Sequence, residues 1–320
     1  MPRPSVLITW RLPSAVLARL EQVADLDVHP GGHALSHDEL CARVRGKQAL
    51  IALITNQIDR EVIDEGTDLR VIANVAVGYN NIDAAYARER GVIVTNTPDV
   101  LTEATADLTW ALILSITRRV CEGDRLVRSG GWTGWTLEFM LGTQLSGKQL
   151  GLIGMGRIGQ AVAARARAFG MRVAFTSRRP MSVENATRLP LDQLLMSSDV
   201  VSIHVPLSPE TRHLIDQRAL VRMKRSAYLI NTSRGPVVDE AALAWALRDR
   251  VISGAALDVY ENEPVVHPDL LSLENVVLAP HLGSGTAETR TAMADLAASN
   301  VLAVLGGKPP LTPVEPHEKP

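Results

Sequence analysis

Three short segments in the second half of this 320-residue chain carry groups suited to acid–base chemistry. Asn231-Thr232-Ser233-Arg234-Gly235 offers a guanidinium, a planar fork of fixed N–H donors. Asp258-Val259-Tyr260-Glu261-Asn262-Glu263-Pro264 offers carboxylates. Pro280-His281-Leu282-Gly283 offers an imidazole, whose ordinary pKa lies near working pH. Each follows an apolar run of strand length. Each is therefore expected at the carboxyl end of a strand, where open α/β sheets bind their ligands.

A fourth segment points to a nucleotide. Gly154-Met155-Gly156-Arg157-Ile158-Gly159 spells GxGxxG between an apolar strand and an amphipathic helix. In that setting Gly154 permits the tight turn and Gly156 lets backbone approach a pyrophosphate. Gly159 is expected to let the helix pack close to the strand, while the helix N-terminus supplies free N–H groups. The next strand ends at Thr176 and is followed by Ser177, Arg178 and Arg179. An acid for the ribose hydroxyls is missing there, and a hydroxyl with two guanidiniums suits a 2′-phosphate. The expected cofactor is NADPH, with NADH possible.

The elements that must position these groups alternate along the chain. Val6-Leu7-Ile8, 49–54, 69–75 and 92–94 read as strands. Helix patterns cover 12–23 and a short stretch opened by Asp59 that ends near Gly66. A second series places strands at 149–153, 172–176, 200–204, 227–231, 254–257 and 276–278, with helices over 156–169 and 240–248. This order implies parallel sheets covered by helices. Apolar-rich helices over 104–120 and 286–305 bracket the second series. The chain is thus expected to start in one domain, cross into an inserted second one and return. The expected fold class is α/β, with two Rossmann-like or flavodoxin-like parallel-sheet domains. One is discontinuous (1–99 plus 284–320) and the other inserted (100–283). The proline-rich tail from Pro309 to Pro320 is expected to be extended and poorly ordered.

Composition narrows the class further. A net charge of −2 provides no basic footprint for nucleic acid. No apolar run reaches the roughly 18 residues of a membrane helix, and the N-terminus does not read as a signal peptide. The two cysteines, Cys41 and Cys121, make neither a disulfide framework nor a thiolate metal site, and no metal is expected. The expectation is a soluble, cytoplasmic, two-domain protein.

The segments above, together with Asn74-Val75-Ala76-Val77-Gly78-Tyr79-Asn80-Asn81-Ile82-Asp83, resemble the D-isomer-specific 2-hydroxyacid dehydrogenases. The resemblance runs from about residue 49 to 309; the first 48 residues match only in strand–helix rhythm. Thr95-Asn96-Thr97-Pro98 and Gly130-Gly131-Trp132-Thr133-Gly134-Trp135 are typical of the glyoxylate/hydroxypyruvate reductase branch. Singly, a turn Arg, a Glu before Pro or a His after Pro is ordinarily solvated or structural. In this order on strand ends, the resemblance implies catalytic roles.

Arg234 then binds the substrate carboxylate and polarises the keto oxygen. His281 is the general acid and Glu263 the carboxylate paired with it. The Val77–Gly78 backbone holds the substrate carboxylate, and Leu53 lies at the substrate's small side. Trp132 reaches a neighbouring subunit's site. Besides the glycine turn and the Ser177–Arg179 stretch, the implied cofactor contacts are Val205, Pro206, Thr211, Thr232, Ser233 and Gly283, with Asp258 near the nicotinamide amide. The implied activity is NADPH-preferring reduction of small 2-keto acids such as glyoxylate and hydroxypyruvate, by a homodimer. Alternatives are another small D-2-hydroxy acid, or a corepressor-like nucleotide sensor that keeps the fold.

Overall fold

Short runs of apolar residues become central parallel strands because both of their faces can be covered. In the computed structural model, which describes residues 3–314, the chain forms two compact units. The first comprises Met1–Leu101 with Thr286–Pro320, and the second Thr102–Gly285.

The first unit opens as β1 (Ser5–Ile8), α1 (Ser14–Glu21), β2 (Asp25–Val28), α2 (His37–Val44) and β3 (Ala49–Ala52). It continues as α3 (Arg60–Glu65), β4 (Val71–Asn74), α4 (Ala84–Glu89) and β5 (Ile93–Thr95). The sheet is wholly parallel in the order β2-β1-β3-β4-β5, the flavodoxin-like arrangement. Strand alternation divides its core: Leu7, Leu50 and Ile72 face one layer, and Val6, Ile8, Ile51 and Ala73 the other. Asp59 caps α3 by accepting from the Val62 N–H at 3.1 Å, as the sequence pattern implied.

The second unit begins with α5 (Thr102–Thr117) and α6 (Val120–Arg128), then β6 (Gln149–Ile153), α7 (Arg157–Ala166), β7 (Arg172–Thr176) and β8 (Ala186–Arg188). It goes on through α8 (Leu191–Ser197), β9 (Val200–Ile203), α9 (Gln217–Arg222) and β10 (Tyr228–Asn231). It ends with α10 (Glu240–Arg248), β11 (Gly254–Leu257), α11 (Pro268–Leu271) and β12 (Val276–Leu278). Its sheet is also parallel, in the order β12-β11-β10-β9-β6-β7-β8. That is the doubly wound dinucleotide-binding order, with the reversal between β6 and β9. Helix α12 (Ala287–Leu305), capped by Thr286, returns to the first unit, where Ala294, Ala297 and Val301 pack in the layer holding Val6 and Ile8.

Three expectations need correction. The helix expected over 104–120 ends at Thr117, and a second helix starts at Val120. Arg119 between them is left-handed (φ 57°) and pairs with Glu122, Nε to Oε2 at 2.8 Å. No glycine or proline marks this break, so the continuous apolar pattern concealed it. The helix expected over 12–23 is shorter, ending at Glu21. The tail is ordered as far as it is described: the Val314 N–H donates to Val94 O at 2.9 Å, and Thr95 bridges Pro313. The buried Asn300 carbonyl accepts from the Leu311 and Thr312 N–H groups at 2.9 and 3.0 Å. The rest of the expected tail, 315–320, lies outside the described residues. Among the described residues, no helix is long and apolar enough to cross a membrane.

Candidate active site

The glycine turn sits at the switch point of the second unit, between the ends of β6 and β9. Gly154 is left-handed (φ 99°), and a Cβ there would lie 2.5 Å from the His204 carbonyl oxygen. Gly159 is equally constrained, since a Cβ would fall 2.3 Å from the Gly154 oxygen. The third glycine therefore lets α7 pack closely on the turn that ends β6. Around Gly156, by contrast, nothing lies within 4 Å of a Cβ position. That open side next to the start of a ten-residue helix fits an approaching pyrophosphate. Met155 is buried, Ile158 packs in the core beneath, and Gln160 Nε2 ties the turn by donating to Met155 O at 3.1 Å.

At the end of β7, Arg178 and Arg179 are exposed, and Ser177 Oγ donates to Arg179 O at 2.8 Å. Arg188, which closes β8, donates to Ser177 O at 2.9 Å. It brings a third guanidinium to a region where sequence reading found two, and three-residue β8 gave no signal for it. Past β9, Val205 and Pro206 lead into a loop that Thr211 closes on itself, its Oγ1 donating to Pro206 O at 2.7 Å. Burial holds His204 neutral, its pKa pushed down to about 4, with Nε2 2.9 Å from Ser202 Oγ.

The turn after β10 is fixed by Asn231. Its Oδ1 accepts from the Ser233 N–H and Oγ at 3.0 and 2.9 Å, and its Nδ2 donates to Arg234 O at 3.0 Å. Thr232 Oγ1 meets Thr109 Oγ1 of α5 at 3.0 Å. Arg234 is half-buried in an extended conformation, with Nη1 donating to Ser233 O at 2.7 Å. Gly235 explains why a glycine must follow, because a Cβ there would lie 1.8 Å from the Tyr260 carbonyl. The Arg234 turn and the loop after β11 thus touch backbone to backbone.

That loop carries Glu263, and the turn after β12 carries its partner in the candidate acid–base pair, His281. His281 Nδ1 lies 2.7 Å from Glu263 Oε2, and Glu263 Oε1 accepts from the Tyr260 N–H at 3.1 Å. Burial would raise the Glu263 pKa. The His281 hydrogen bond and charge, the Tyr260 N–H and the Arg234 charge outweigh it and hold the carboxyl below its ordinary range. His281 is left-handed (φ 55°), and its N–H donates to Asp258 O at 2.9 Å. Asp258 is buried, which pushes its pKa up against the backbone donors it holds. Its two carboxylate oxygens accept from the Leu282 and Gly283 N–H groups at 2.6 and 2.8 Å, and Gly283 O accepts from Thr105 Oγ1 at 3.1 Å. Asp258 thus anchors the loop that displays His281.

The structure therefore brings Arg234, Glu263 and His281 together on adjacent strand ends, with Thr232, Ser233, Asp258 and Gly283 supporting them. Trp132 stands apart, 54% exposed, with its indole N–H donating only locally to Gly134 O. The first unit holds the other expected contacts. Leu53 follows β3, its N–H donating to Asn56 Oδ1 at 3.0 Å. The Val77 and Gly78 carbonyls are anchored by the Asn96 and Asn74 side-chain amides, at 2.8 and 2.9 Å. Sequence reading missed the supports: Gly235, Glu240, and the hydrogen bond between His213 and Glu261. Only the fold brings residues 213 and 261 together.

Residues 110–283 match the family described as D-isomer specific 2-hydroxyacid dehydrogenase, NAD binding domain. Over 318 residues the chain is 46% identical to a glyoxylate reductase of Thermococcus onnurineus, spanning 97% of this chain and 95% of that protein. It is similar to the crystal structure of a Thermus thermophilus protein, with 48% identity and a TM-score of 0.93, over 97% of this chain and 100% of that one. It is also similar to an NADPH-dependent glyoxylate/hydroxypyruvate reductase from Sinorhizobium meliloti, solved with NADP and malonate. There the identity is 34% and the TM-score 0.87, over 98% and 97% of the two chains.

Proposed function

The chain belongs to the D-isomer-specific 2-hydroxyacid dehydrogenases, NAD(P)-dependent oxidoreductases, and on that premise we propose that it reduces small 2-keto acids of the glyoxylate and hydroxypyruvate type, preferring NADPH. The observation that carries this reading is the 2.7 Å His281–Glu263 pair beside the half-buried Arg234.

Arg234 holds the 2-keto acid, with guanidinium donors on its carboxylate and its keto oxygen. Glu263 accepts from Nδ1–H of His281, which orients the ring and turns Nε2–H toward the keto oxygen. When bound, the nicotinamide cofactor supplies the hydride that C2 receives. The oxygen, gaining negative charge, takes the proton from His281 Nε2, leaving a neutral imidazole still bonded to Glu263. The Val77 and Gly78 N–H groups are assigned to the substrate carboxylate and Leu53 to its small side, on the sequence resemblance.

The NADPH preference rests on Ser177, Arg178 and Arg179 at the end of β7, where the sequence puts a hydroxyl and two guanidiniums in place of the usual acid. A homodimer is supported by an exposed apolar stretch, Trp132, Trp135, Leu137 and Leu141, which water alone would leave costly. In such a dimer Trp132 is assigned to the neighbouring subunit's site.

His281→Ala tests the reading. Turnover of glyoxylate or hydroxypyruvate is expected to fall about 10²–10⁴-fold, with NADPH binding retained. Unchanged turnover in that variant would remove the proposed acid. Cofactor binding without turnover in the wild type would favour a sensing role.

A further inference from the structure

The carboxylate of Glu240 lies outside the Arg234, Glu263 and His281 set, yet its hydrogen bonds lead into it. It is 4% exposed, at the first turn of α10, just past the segment that begins with Arg234. Oε1 accepts from the Glu261 N–H at 2.6 Å and Oε2 from the His267 N–H at 3.2 Å. One buried carboxylate thus grips both ends of the segment 261–267. Glu263, whose Oε2 holds His281, lies inside that grip.

Other restraints act within the segment: Glu263 holds the Tyr260 N–H and His281, Val266 packs against the core, and His267 caps α11. Val265 N–H donates to Asn262 O at 2.9 Å, and the Glu261 side chain pairs with His213. Tyr260, Glu261 and Glu263 are the ionisable groups on the loop, and His213 and His267 flank it. Replacing one oxygen of Glu240 by an amide NH2 would set donor against donor at one end. A buried N–H left unpaired is costly enough to free a short loop locally.

We propose that Glu240 is a positioning residue for the reaction: it locks the loop that carries Glu263 to the N-terminal turn of α10, which follows the Arg234 segment, so that His281 is presented in one orientation. The inference rests on the proposed reduction for its kinetic arm only. Glu240 touches neither substrate nor cofactor in this account. Its loss should therefore reduce the chemical step and spare binding.

The test is Glu240→Gln, read two ways. Without substrate, amide hydrogen exchange is expected to speed at least tenfold within 261–267, with exchange in β9 and β10 unchanged. With NADPH and glyoxylate, kcat is expected to fall about tenfold or more, with KM and NADPH affinity within twofold. A merely structural role would instead lower the melting temperature and shift kcat, KM and cofactor affinity together. Should Glu240→Gln not fold, Glu240→Asp serves, because a shorter carboxylate cannot reach both N–H groups; the same pattern is expected. Unchanged exchange at 261–267 would overturn the proposal, and so would faster exchange with kcat within twofold of wild type. If the wild type reduces no 2-keto acid, the functional reading fails separately, and the exchange result alone decides whether Glu240 holds the loop.

Discussion

Adding a single carbon at Gly235 would place it 1.8 Å from the Tyr260 carbonyl, so the Arg234 turn and the Glu263 loop depend on that hydrogen atom. Gly235→Ala is expected to cost about 1–3 kcal/mol, seen as a lower melting temperature, and to cut kcat/KM at least tenfold. A wild-type melting curve and rate would contradict the close contact. Glu263 supports a pH prediction. Its pKa is held low, so its stabilising contribution is present above the ordinary glutamate value near 4.5 and lost as pH falls through the lower folded value. The stability gap between wild type and Glu263→Gln should be flat at neutral pH and shrink below about 4.5. His204 acts in the other sense. It stays neutral down to about 4, whereas the unfolded chain takes the proton below 6.5. Stability should fall across that window, and less so in His204→Gln, as melting temperatures against pH would show.

At the scale of elements, the segment after α12 is held by backbone contacts to β5 and Asn96 and by one buried side chain, Asn300. Asn300 is fully buried and pairs with the Leu311 and Thr312 N–H groups and with Thr312 Oγ1. Asn300→Ala would strand two N–H groups and is expected to cost about 1–3 kcal/mol. Limited proteolysis should then cut near residues 309–314, while the wild type resists there. The sequence hid this order because prolines exclude the regular patterns by which strands are read. What was legible follows the same physics. Strands buried on both faces, such as β6, β7 and β11, are continuous apolar runs and were read to the residue. Edge strands β2 (Asp-Leu-Asp-Val) and β8 (Ala-Thr-Arg) are short and half polar, and they were missed. The candidate site was legible where one residue type suffices, as at Arg234, Glu263 and His281. It was opaque where support comes through space, as with Glu240 or the His213–Glu261 pair.

For the whole molecule, two parallel-sheet units are threaded so that the chain leaves the first at Leu101 and re-enters it at Thr286. Trp135, Leu137 and Leu141 are 75%, 80% and 66% exposed, a group that a second copy of the chain would cover. Light scattering is expected to give about twice the 34.6 kDa chain mass. A monomer mass at micromolar concentration would contradict the homodimer. Cofactor choice also belongs at this scale, because it joins the β7 terminus to turnover. The most direct measurement is a set of initial rates with glyoxylate, hydroxypyruvate and pyruvate, each with NADPH and with NADH. The expected result is fast reduction of glyoxylate or hydroxypyruvate, faster with NADPH. Equal or better rates with NADH would contradict the 2′-phosphate assignment of Ser177, Arg178 and Arg179. No reduction of any of the three acids would contradict the central claim.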